Sequence, residues 1–100
     1  MRSASFHPEA LAELSEAEEF YEARQAGLGS RFASAVEETV ARIVAHPQAG
    51  RSLARGIRRQ IVSVFPYAVV YRVSGDLVFV LAVAHQHRRP GYWRRRIRRR

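Results

Sequence analysis

The stretch LVFVLAVA, Leu77 to Ala84, sets the strongest limit on what this chain can fold into. It is apolar at every position, so it offers no solvent face. A membrane helix needs about 20 such residues, far more than this run supplies. A strand that is apolar on both sides belongs in the middle of a sheet. The tripeptide SGD, Ser74 to Asp76, reads as a tight hairpin turn just before it. YAVVYRV, Tyr67 to Val73, is then its antiparallel partner. Pro66 separates that partner from a further strand, IRRQIVSVF, Ile57 to Phe65.

The first half of the chain follows a different period. Leu11, Leu14, Ala17 and Tyr21 recur at helical spacing and predict a helix over Pro8 to Ala26. Pro8 suits the first helical turn, where its missing N–H is no loss. Glu9 and Glu13 lie near the positive end of that helix. Glu16, Glu19 and Glu22 fall largely off the apolar stripe. AGLG, Ala26 to Gly29, breaks the helix with C-cap glycines. Phe32, Val36, Val40 and Ile43, with Val44 beside them, mark a second helix, which Pro47 ends. Helices joined by so short a turn pair as an antiparallel hairpin. Pro47 to Gly56 reads as a basic loop, and RSASF near the N-terminus as a short strand. The expected fold is α+β, in the order β-α-α-β-β-β. It has a small, mostly antiparallel sheet covered on one face by an N-terminal helical hairpin. A single domain is expected over residues 1–96, with a basic tail at residues 97–100.

Charge divides the chain in the same place. Up to Gly50 there are four arginines against eight glutamates, a balance of −4. From Arg51 onward thirteen arginines stand against Asp76 alone, a balance of +12. Such asymmetry points to an acidic partner for the second half: nucleic acid, an acidic protein segment or a ribosomal surface. Every one of these cationic side chains is arginine, which forms planar bidentate contacts with phosphate and carboxylate. A GC-rich coding bias produces the same preference. With no cysteine, disulfides and thiolate chemistry are excluded, which fits a reducing compartment. Pro8 and Glu9 interrupt the N-terminus before the apolar core of a secretion signal can form. The expectation is a cytoplasmic protein that makes no use of a membrane.

Three segments, in order, carry a resemblance. FHPEALAELSEAEEFYEARQAGLGSRF resembles the opening of the RelE/ParE toxins of bacterial type II toxin–antitoxin modules, with a proline-started helix, "YE" and "GLG..F". IRRQIVSVFPYAVVYRV is similar to the family's "R...FPY.I.Y" strands, and AVAHQHRRPGYW to its "V.H..R.P.YW" ending. The resemblance covers about Phe6 to Arg96. It implies a growth-inhibiting toxin held in a hetero-oligomer by a cognate antitoxin. That antitoxin would lay an acidic and apolar C-terminal segment across the toxin, for which the +12 half is a suitable surface. RelE-type members cut mRNA on the ribosome. ParE-type members lack that catalytic set and poison DNA gyrase without being enzymes. The long helical hairpin and the "H..R.P.YW" ending look more like the ParE and plasmid-stabilisation branch.

Cleavage of RNA through its 2′-hydroxyl needs a base, an acid and cations for the phosphate. His85, Arg88 and Tyr92 are the residues that would fill those roles in a RelE-like reading, with Arg59 or Arg72 as further cations. In the ParE-like reading, a basic and aromatic rim meets the target or antitoxin: Arg58, Arg59, Arg72, Arg88, Arg89, Tyr92 and Trp93. A third reading is a non-enzymatic nucleic-acid-binding module, in which the same residues hold phosphate. The bland alternatives are a histidine closing the last strand, solvated arginines and aromatic core. Trp93 is expected to pack back and pin the C-terminus. Arg58 and Arg59 point to opposite faces, and whether Arg59 shares a face with Arg72 depends on an unknown strand register. His85 and His87 share a face but lack a third ligand, so no metal is expected, and no cofactor. RRRIRRR, Arg94 to Arg100, reads as a solvated tail because lone Ile97 offers no apolar stripe.

Overall fold

A computed structural model describes residues Arg2 to Arg98. The order is β1 (Ser3–Phe6), α1 (Pro8–Arg24), α2 (Leu28–Ala45), β2 (Arg51–Ala54), β3 (Ile57–Ile61), β4 (Tyr67–Ser74) and β5 (Leu77–His85). A 3₁₀ turn (Tyr92–Arg94) and a short α3 (Arg95–Arg98) follow. The sheet runs β1-β5-β4-β3-β2. β1 joins β5 in parallel and the other pairs are antiparallel. The α+β architecture, the helical hairpin and the mostly antiparallel sheet are as expected.

Local chemistry fixes the hairpin. His7 caps α1, its Nδ1 accepting the Glu9 N–H at 3.0 Å, and Pro8 opens the first turn. At the other end the Glu22 carboxylate accepts the N–H groups of Gly27 and Gly29, each at 2.9 Å. Those two donors belong to the start of α2, where no helical carbonyl can reach them. The same hydrogen bonds hold the Glu22 carboxyl below its ordinary range. Gly29 has a packing reason as well. A Cβ there would come within 2.5 Å of the Glu18 carbonyl, so only glycine lets the helices cross this closely. The GLG of the turn is thus the start of α2 rather than a cap on α1.

The main core lies between the hairpin and one face of the sheet. Phe32, Val36 and Ile43 from α2 meet Val69, Tyr71, Val78, Val80 and Val83 from β4 and β5. The Tyr71 hydroxyl donates to the Pro47 carbonyl at 2.7 Å, which ties the end of the hairpin to the sheet. On α1 the inward positions are Ala10, Leu14, Ala17 and Tyr21. Leu11, expected on that face, is 51% exposed. Glu13 takes an inward place instead, with its side chain only 13% exposed.

Two further departures matter for function. The segment expected as a basic loop contains β2, which pairs with β3. Its four residues are mostly exposed, so no alternation of burial marks them as a strand. The sheet's second face is also partly covered. Ile57, Val70, Leu81, Ala82 and Trp93 form a second core there, joined by Phe79, Ala84, Tyr92 and Ile97. The C-terminal segment is what covers it. This explains why β5 is apolar on both sides.

Candidate functional site

The site begins with a bulge in β5. Val70 pairs with Ala82 but Tyr71 pairs with Val80, so Leu81 is an extra residue. A bulge shifts the alternation of every side chain beyond it. Val78 and Val80 face the helices, and so does Val83 after the bulge. His85, two residues further and opposite Tyr67, therefore lies on the helix side. Its ring meets Tyr67 edge-on at 5.0 Å, and its Nδ1 accepts the His87 N–H at 3.0 Å.

Strand register settles the arginines. Arg59 is opposite Val70, and Arg72 is opposite Ile57, so both belong to the outward face, away from the helices. Both are partly buried, with Nε atoms that are buried and have no hydrogen-bond partner among the described residues. Arg72 lies over the Phe79 ring at 5.7 Å. Arg58, opposite Tyr71, belongs to the helix side, and its guanidinium donates to the Gly50 carbonyl at 2.7 Å. That contact makes Arg58 a brace for the β2 entry.

The remaining rim residues gather around Glu13. β1 pairs with β5 only from Leu77 to Val80, so beyond that point the β5 edge needs other partners. Glu13 Oε1 accepts the Val83 N–H at 2.9 Å, and Arg96 donates to the Leu81 carbonyl at 2.8 Å. Arg96 also donates to both Glu13 oxygens, at 3.1 and 2.9 Å. The Tyr92 hydroxyl donates to Glu13 Oε2 at 2.7 Å. Arg88 lies 3.8 Å over the Tyr92 ring and within 4.0 Å of the same carboxylate. Burial, then the hydrogen bond to Glu13 and its charge, pushes the Tyr92 phenol well above its ordinary range. Glu13 can face inward because both of its oxygens meet donors from the protein.

This clasp revises the reading of the Arg-rich run. Arg95 grips Glu9 with hydrogen bonds of 2.8 to 3.2 Å, Arg96 is 5% exposed, and Ile97 packs on the second core. The run alone carries no periodic stripe, and its partners lie on α1 at the other end of the chain, so no sequence pattern announces it. Arg99 and Arg100 lie outside the described residues. Trp93 does pack back, at 5% exposure. Arg89 is exposed on the loop after β5.

The fold thus brings Arg88, Tyr92 and Trp93 together, with Arg59 and Arg89 nearby around one outward groove. His85 touches that groove at its end, and Arg72 stands apart beside Phe79. Glu13 and Arg96 are the residues that sequence reasoning missed. Among the described residues no three His, Cys, Asp or Glu side chains gather to hold a metal, and no helix is long and apolar enough to cross a membrane.

A helical hairpin laid on a mixed five-stranded sheet, with an arginine-lined groove on the other face, defines a class of small basic α+β protein. The family model for the ParE toxin of the type II toxin–antitoxin system parDE matches residues 4–90. The chain belongs to that family. A solved structure, "Chromosomal ParDE TA system from P. aeruginosa", contains a chain of similar fold. Its TM-score is 0.63 at 24% sequence identity, over 85% of this chain and 96% of that one. No curated protein matches.

Proposed function

We propose that this chain is a growth-inhibiting toxin that acts by binding its target, with DNA gyrase as that target, and that a cognate antitoxin neutralises it in the cytoplasm. Membership of the ParE family and the likeness of the "H..R.P.YW" ending to ParE-type members support this reading. One observation carries it over the ribonuclease alternative. Each of the three groups that RNA cleavage would need has a partner inside the chain. His85 is turned to the helix side by the Leu81 bulge, with Nδ1 occupied by the His87 N–H. Tyr92 donates its hydroxyl proton in a hydrogen bond to Glu13, and burial and that bond raise its phenol above the ordinary range. Arg88 is stacked on that same ring. The arginines of the second half offer a docking surface for the acidic segment of an antitoxin, and the solved chain of similar fold comes from a ParDE TA system.

Purified protein added to a gyrase supercoiling reaction tests the proposal. The expected result is inhibition with accumulation of cleaved DNA, and no cutting of mRNA in a parallel translation mixture. Cutting of mRNA that His85→Ala abolishes would favour the ribonuclease instead.

A further inference from the structure

On the inward side of α1, Ala10, Leu14, Ala17 and Tyr21 pack on the core, while Glu13 carries a charge. Its nearest task does not require one. The Val83 N–H, 2.9 Å from Glu13 Oε1, needs only an oxygen acceptor, which a glutamine would also supply. A carboxylate that is 13% exposed is costly to bury unless donors surround it. The charge therefore answers to something else.

That something is the C-terminal segment. Gly91, at φ 79°, turns the chain back so that Tyr92 and Arg96 reach the carboxylate. Glu13 Oε2 accepts the Tyr92 hydroxyl at 2.7 Å, and Arg96 donates to both oxygens. The fixed Tyr92 ring in turn carries the Arg88 guanidinium at 3.8 Å, whose side chain stays 53% exposed. A line of contacts thus runs from a buried carboxylate on α1, through Tyr92, to a cation at the surface. A guanidinium stacked on a fixed ring has its plane set, and with it the directions of its N–H donors. It has given up its rotamer freedom before any partner arrives.

We propose that Glu13 is the positioning residue of the C-terminal rim: from α1 it holds Tyr92 and Arg96, and through Tyr92 it sets the Arg88 guanidinium that the rim presents to its target. That the rim meets a target rests on the function proposed above; the link from Glu13 to Arg88 does not. Tyr92 and Arg96 lie beyond the family's matched residues 4–90. Opening the clasp frees Arg88 without removing it, so binding weakens although every rim residue is still present.

A double-mutant cycle on the full chain tests this. Growth arrest on graded induction, and inhibition of gyrase by the purified chain, are read for the native chain, Glu13→Gln, Arg88→Gln and the two combined. Each single change is expected to weaken inhibition about tenfold, and the combination no more than the larger single loss, because the carboxylate acts through that arginine. Losses that multiply to about a hundredfold would mean independent damage and overturn the proposal. Tyr92→Phe keeps the ring under Arg88 and lacks only the hydrogen bond to Glu13. It is expected to lose about threefold, and nothing beyond the Arg88→Gln loss when the two are combined, which tests the link even where Glu13→Gln fails to fold. Glu19→Gln, exposed on α1, leaves inhibition unchanged. In NMR spectra the Arg88 Nε–H should be ordered in the native chain and mobile in Glu13→Gln. Mobility with inhibition undiminished sinks this inference and leaves the functional reading standing. Growth arrest that depends on Glu13 while gyrase is untouched sinks the gyrase target and leaves the positioning role standing.

Discussion

The two faces of the sheet are built from alternate residues of the same strands, yet they are made for different ends. The helix side is filled by Phe32, Val36, Ile43, Val69, Tyr71 and Val80, all within 2% of full burial. The buried Tyr71 hydroxyl is answered inside the chain, on the Pro47 carbonyl. The outward side mixes Val70, Leu81, Phe79 and Trp93 with Ala82 and Ala84, and it holds Arg59 and Arg72, whose buried Nε atoms have no hydrogen-bond partner among the described residues. Only the C-terminal segment covers it, tied down through Glu13. One face is closed by the helical hairpin, and the other leaves an arginine-lined groove beside the C-terminal segment.

The contrast can be broken or sharpened by substitution. Phe32→Ala empties the centre of the helix-side core and is expected to cost about 3–5 kcal/mol, read from the midpoint of urea unfolding. Glu13→Gln takes from the buried Arg96 its nearer counter-charge, leaving Glu9 at 3.4 Å, and is expected to cost about 3 kcal/mol. Hydrogen exchange should then show Arg94 to Arg98 and the β5 edge near Val83 opening ahead of the rest. Equal opening throughout would mean that the clasp is not a separate unit.

Tyr92 gives a pH test. Its phenol is raised in the fold, so its contribution is complete below the ordinary value of 10.0 and is lost as pH rises above it. Thermal melts of the native chain should fall more steeply above pH 10 than those of Tyr92→Phe. That variant is itself expected to cost about 1–2 kcal/mol at neutral pH. The smallest effect is expected on the outward face. Arg59→Gln should change stability by no more than about 0.5 kcal/mol, since its buried Nε has no partner to lose among the described residues. A large loss would show that this arginine serves the fold rather than a partner.

Much of the fold was legible because its strongest signals are local. The 3.6-residue stripe on α2, the SGD turn and the apolar run of β5 each state their element without help from the rest. β2 was not legible, because four mostly exposed residues on a sheet edge have no pattern. The site was less legible still. A single extra residue at Leu81 reverses the face of His85, and no periodicity announces a bulge. Glu13 looked like one more acidic residue near a helix start. Its partners, Tyr92 and Arg96, come from the other end of the chain, and only the tertiary fold brings them together.

The most direct test of the functional account is pulse-labelling after induced expression in a bacterial host, with DNA and protein synthesis followed side by side over the first minutes. The account predicts an early fall in DNA synthesis while translation continues, unchanged in timing by His85→Ala. An early collapse of translation that His85→Ala prevents would contradict it and return His85, Arg88 and Tyr92 to catalytic roles.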